Sequence, residues 1–153
     1  MSAALNCNIT FIGGGNMAQA LIGGLIARGM PTTRITVADP FENVRQLLQE
    51  KDVHVTDDNI AAIEKADIVV LAVKPQVLAS VLKQLHGLLD GKLVISIVAG
   101  AEIATMATLS GTDRIVRVMP NTPALVQTGA HGLYATDVVD AKDRELASQV
   151  LAA

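Results

Sequence analysis

The stretch Asn8-Ile9-Thr10-Phe11-Ile12-Gly13-Gly14-Gly15-Asn16-Met17-Ala18-Gln19-Ala20-Leu21 reads as strand, tight turn and helix. A β-branched and aromatic run feeds three glycines, and Ala18, Leu21, Ile22 and Leu25 then recur at helical spacing. Gly13-x-Gly15-x-x-Ala18 fits the G-x-G-x-x-G/A fingerprint of a dinucleotide-binding turn. Gly13 permits the sharp turn, Gly15 lets backbone approach a pyrophosphate, and the small Ala18 lets the helix lie close to the strand. The helix N-terminus, with unpaired N–H groups and a positive dipole end, then faces the phosphates. No Lys follows in the G-K-[ST] position, which excludes a Walker-type ATP loop here. By itself the pattern also describes an ordinary glycine turn. The apolar run Ile35-Thr36-Val37-Ala38 strengthens it by completing a βαβ unit of about 30 residues.

The chain has 153 residues, enough for one domain with a single core. Half of the residues are hydrophobic, yet no apolar run reaches the ~18 that a membrane crossing needs. No basic segment followed by an apolar one marks a secretory signal, so a cytoplasmic, soluble protein is expected. A net charge of −3 and only 2% aromatic residues argue against nucleic acid as partner. Cys7 has no second cysteine to pair with and is expected to pack beside the first strand. His54, His86 and His131 lack metal-ligand spacing, and no metal site is expected.

Strands and helices alternate along the rest of the chain. Further helices are expected near residues 42–51, 60–66, 77–85 and 102–109, and further strands near 53–55, 68–73, 93–97 and 114–119. The continuous run Ile68-Val69-Val70-Leu71-Ala72-Val73 has the character of a strand covered on both faces. The fold class is therefore α/β, a Rossmann-like doubly wound parallel sheet in the order 3-2-1-4-5-6. Residues 1–153 form one dinucleotide-binding domain, with a core over roughly 1–125 and an added strand and helix start over 126–153. The last helical pattern runs to Ala153 without a capping glycine, as though the chain were truncated before a further domain.

In such a sheet the ligand lies over the carboxyl ends of the strands at the switch point. Lys74-Pro75 follows the central strand and reads either as a plain turn or as a contact to the nicotinamide side of a cofactor. Val98-Ala99-Gly100 adds small residues to the same rim, and Met119-Pro120-Asn121-Thr122-Pro123 ends the sixth strand. In that loop Asn121 offers a donor and an acceptor, unless the prolines serve structure alone. Asp39, ~20 residues past the glycines, reads as a ribose-binding acid or as an outward-facing cap of the second helix. Beside a 2′-phosphate it would be repulsive, by ~4 kcal/mol for two unit charges at ~4 Å and an effective dielectric of ~20. No Arg occurs at 40–44 to offset that, which leans to NAD over NADP. No acid, base or nucleophile set is evident, so no catalytic residue is assigned.

The chain resembles pyrroline-5-carboxylate reductase, on four stretches in family order. These are Phe11-Ile12-Gly13-Gly14-Gly15-Asn16-Met17, Ala72-Val73-Lys74-Pro75-Gln76, Ser96-Ile97-Val98-Ala99-Gly100 and Val116-Arg117-Val118-Met119-Pro120-Asn121-Thr122-Pro123-Ala124. The resemblance implies reduction of the C=N bond of a cyclic imine, 1-pyrroline-5-carboxylate, to L-proline by NADP(H) or NAD(H). It implies that Ile12, Gly13, Gly14, Gly15, Asn16 and Met17 cradle the pyrophosphate and that Asn59 touches the adenosine ribose. Ala72, Val73, Lys74 and Pro75, with Ile97, Val98 and Ala99, would line the nicotinamide end, and Asn121 would sit near it. Members also carry a C-terminal helical domain through which they form homo-oligomers. That domain is missing here, so this chain alone is expected to turn over little or no substrate. Two rival readings are a relative of 3-hydroxyisobutyrate or prephenate dehydrogenase, and a nucleotide-binding module without catalysis.

Overall fold

The computed structural model describes residues 6–118 and 133–151. Seven strands form one sheet: β1 (Ile9–Ile12), β2 (Ile35–Ala38), β3 (His54–Thr56), β4 (Ile68–Leu71), β5 (Leu93–Ser96), β6 (Ile115–Val118) and β7 (Leu133–Ala135). Their order is β3-β2-β1-β4-β5-β6-β7. The first six run parallel, in the arrangement the alternation predicts, and β7 adds antiparallel to β6 with Val118 opposite Leu133.

Among the described residues six α-helices join and cover the strands: α1 (Asn16–Ala27), α2 (Glu42–Gln49), α3 (Asn59–Ile63), α4 (Pro75–Gln84), α5 (Ile103–Ser110) and α6 (Ala141–Leu151). Their ends follow local chemistry. Gly29 ends α1 at φ +100, a conformation that costs glycine little. Asp58 caps α3 by accepting from the amides of Ile60 and Ala61. Pro75 opens α4, where its missing N–H costs nothing.

Side chains alternate between the sheet's two faces. Ile9 and Phe11, Ile68 and Val70, and Leu93 and Ile95 face one way, packed with Leu21, Ile22 and Leu25 of α1 and Leu146, Val150 and Leu151 of α6. Ile12, Val69, Leu71 and Val94 face the other, packed with Ala62 and Ile63 of α3, Leu78 and Leu82 of α4 and Met106 of α5. Every residue of β1, β4 and β5 is buried. That double burial is why the chain spends unbroken apolar runs on these strands.

α6 is held on its face by more than apolar contact. Arg114, just before β6, donates from Nε and Nη2 to the two carboxylate oxygens of Asp143 at 2.8 and 2.6 Å. The same guanidinium donates to the Gly91 carbonyl. Asp143 has a carboxyl held below its ordinary range, first by these Arg114 hydrogen bonds.

Candidate functional site: the glycine turn at the switch point

β1 lies between β2 and β4, so the glycine turn that leaves it stands where the crossovers change direction. Gly13 is buried and its amide donates to the Ala38 carbonyl of β2 at 2.7 Å. On the other side Ala72 donates to the Ile12 carbonyl at 2.8 Å. Gly13 has φ +102, and a Cβ there would sit 2.6 Å from the Ala72 carbonyl oxygen. Only glycine lets the turn and the end of β4 approach so closely.

The three glycines do different work. At Gly14 a Cβ would meet Leu48 Cδ1 at 2.7 Å and Val44 Cγ1 at 2.9 Å, so this position is kept small by α2. At Gly15 a Cβ would meet nothing within 4 Å. Gly15 and Asn16 are exposed, and the amides of Gly15, Asn16 and Met17 donate to no acceptor among the described residues. Together they form an open helix N-terminus suited to an anion.

Asp39 takes part in a way that its place in the chain does not reveal. It is 8% exposed, and its Oδ2 accepts from the Gly14 amide at 2.9 Å while Oδ1 accepts from the Phe41 amide at 2.9 Å. The Gly14 amide is thereby engaged within the protein, and the carboxylate braces the turn, whereas the resemblance places Gly14 among the residues cradling the pyrophosphate. No side chain caps α2. Arg45, just beyond the window in which no Arg occurs, reaches back one helical turn and donates from Nη1 to the Asp39 carbonyl at 2.8 Å. A guanidinium therefore stands at the carboxyl end of β2. Phe41 lies in the same loop, 65% exposed.

Across the switch point, Ile97 donates to the Leu71 carbonyl at 3.1 Å, which sets residues 97–99 beside residues 72–75. Ile97 and Val98 are buried, while Ala99, Lys74 and Pro75 are exposed. Pro75, Val98 and Ala99 border a groove of about 470 Å³ between α4 and α5, with Glu102 as its one lining carboxylate. Asn59 begins α3 beyond the carboxyl end of β3, and its side-chain amide donates to Gln84 Oε1 at 3.0 Å. Asn121 and the rest of the 119–123 loop lie outside the described residues.

A family described as NADP oxidoreductase, coenzyme F420-dependent, matches residues 8–100. The chain belongs to that family. It is 43% identical over 150 residues to pyrroline-5-carboxylate reductase of Pasteurella multocida, an alignment covering 94% of this chain and 54% of that protein. Among solved structures, a pyrroline-5-carboxylate reductase from Coxiella burnetii superposes with a TM-score of 0.86 at 39% identity, over 95% of this chain and 55% of the other. The Plasmodium falciparum pyrroline carboxylate reductase with NADP bound gives 0.78 at 28% identity, over 95% and 54%. The chain thus spans about half the length of the relatives it matches.

Burial, aided by the charge of Asp67, pushes the Cys7 thiol up, away from a reactive thiolate. No cluster of His, Cys, Asp or Glu fit for a metal ion occurs among the described residues. No described helix is long and apolar enough to cross a membrane.

Proposed function

We propose that this chain is the dinucleotide-binding part of a pyrroline-5-carboxylate reductase, using NADPH or NADH to reduce the cyclic imine 1-pyrroline-5-carboxylate to L-proline. The observation that carries the reading is the open turn at the switch point, where Gly15 leaves room and three consecutive amides stand free. Those amides fit a pyrophosphate, which supplies the acceptors they lack. Residues 72–75 and 97–99 would hold the nicotinamide ring against one wall of the crevice. The dihydronicotinamide, when bound, supplies the hydride. The chain's own task is placement, because an imine already protonated on nitrogen needs a positioned hydride donor more than a general acid. Asn121 would complete this end of the site, and Asn59 the ribose end.

Cofactor choice follows from the β2 loop. Both Asp39 oxygens serve main-chain amides, and Arg45 brings a cation to the same place, which supports a 2′-phosphate over a bare ribose. We therefore favour NADP(H) over NAD(H), against the lean drawn from Asp39 and the empty 40–44 window alone. Comparing NADPH and NADH affinities of wild type and Arg45→Gln tests this: NADPH binding should weaken more. An unchanged ratio removes Arg45 from the site.

In this reading the whole protein is a cytoplasmic homo-oligomer with a small-molecule substrate and no nucleic-acid partner. Its substrate groups and subunit contacts lie in the further domain that the resemblance implies. The decisive experiment uses Gly15→Val. The added side chain projects into open space, so the fold should be kept, yet it covers the free amides. Dinucleotide affinity should fall more than about tenfold with an unchanged melting temperature. Binding as tight as wild type would overturn the proposed cradle.

A further inference from the structure

We propose a second anion site at the opposite, amino end of the sheet, made for a compact, doubly charged oxyanion. A cavity of about 300 Å³ opens there on the α3 side, lined by Arg34, His54, Lys65, Thr10, Thr33 and Thr36 among others. It exists because α3 has only five residues and leaves the amino ends of β1, β2 and β3 uncovered on that face. The sequence places threonines and a histidine there rather than the apolar residues a longer helix would cover.

The lining has one sign. Among the described residues no carboxylate borders the cavity, although the whole chain carries a net charge of −3. The side chains of Lys65 and His54 have neither a hydrogen bond nor an ion pair among the described residues. Arg34 spends Nη1 on the Asn6 carbonyl and Asn8 Oδ1, which leaves Nε and Nη2 as donors. The hydroxyls of Thr33 and Thr36 likewise have no hydrogen bond among the described residues.

Several acceptors near the cavity already have donors. The carbonyls at and after the end of α3 are taken up: Ala62 accepts from Thr10 Oγ1, Lys65 from Asn8 Nδ2 and Ala66 from Lys92 Nζ. Asp67 accepts from the Asn8 amide through Oδ2. What remains is a concave surface of donors, with a planar guanidinium suited to bidentate contact and an ammonium beside it. The dinucleotide crevice lies at the carboxyl ends of these strands, so the two sites are separate.

The test follows the intact chain by amide NMR while inorganic phosphate or malonate is added at constant ionic strength, with chloride as the control. Saturable shifts are expected around Thr36, His54 and Lys65, and they should persist when NADPH occupies the other end. Phosphate acting alone assigns a phosphate ester, and malonate acting alone assigns a dicarboxylate. Lys65→Gln, whose parent side chain has no partner to lose, should weaken binding about fivefold, and Arg34→Gln at least as much. The melting temperature of Lys65→Gln in chloride should match wild type. Shifts no larger than with chloride, shifts confined to Gly15–Met17, or unaltered affinity in both variants would each overturn the site.

Discussion

Asp39 carries the sharpest consequence. Its carboxylate bridges the glycine turn and the β2 loop, so Asp39→Ala strands the buried Gly14 N–H and should cost about 1–3 kcal/mol. The same substitution should weaken NADPH and NADH together, since it loosens the turn both would use. A recognition acid at this place would behave otherwise: its loss would weaken NADH and improve NADPH, and titration with both separates the two outcomes. Gly13→Ala should be more damaging. Positive φ and a Cβ 2.6 Å from a carbonyl oxygen combine strain with a backbone clash, worth about 2–4 kcal/mol by denaturant unfolding. Gly15→Val, by contrast, should leave stability untouched. Three neighbouring glycines thus differ in cost according to what stands opposite each one.

Among the secondary-structure elements, α6 has an attachment that responds to pH. The folded-state carboxyl of Asp143 titrates below its unfolded value because Arg114 stabilises the charged form. The clamp's contribution is therefore fully present above the unfolded carboxylate range, near pH 4 and higher. It is lost as pH falls through the depressed folded value. Asp143→Asn should lower stability at pH 7 by about 1–3 kcal/mol. The gap from wild type should close in acid, as unfolding curves between about pH 2 and pH 7 would show. An equal deficit at all pH values would mean that charge is not what holds α6. A smaller effect is expected at α3, where Asp58→Ala removes the acceptor for two amides and should cost about 1 kcal/mol.

Taken as one body, the described residues form a sheet whose strands β1, β4 and β5 are buried on both faces. At the carboxyl end, a dinucleotide at about 100 times its dissociation constant should stabilise the domain by ~2.7 kcal/mol, a rise in melting temperature of roughly 5–10 °C. On the proposed function, the 153-residue chain should nonetheless form no measurable proline from the imine with NADPH, because it spans only about half the length of the reductases it resembles. Proline production by this chain would show that its own residues suffice. If anions act at the amino end as inferred, their stabilisation should add to that of the dinucleotide, since the two sites share no residue.

The alternation of helical and strand periods, the order of the parallel strands and the identity of the glycine turn were all legible along the chain. They rest on patterns between neighbours: apolar spacing, β-branched runs and glycines where backbone must turn sharply. Where Asp39 and Arg45 point was not legible. Asp39 meets Gly14, 25 residues away, and Arg45 reaches the β2 end only because α2 winds it back by one turn. The cavity at the amino ends depended on how short α3 is and on which strand ends it leaves bare. Local pattern specifies an element through its own backbone preferences, whereas the partner of a polar side chain is settled only when packing brings distant segments together.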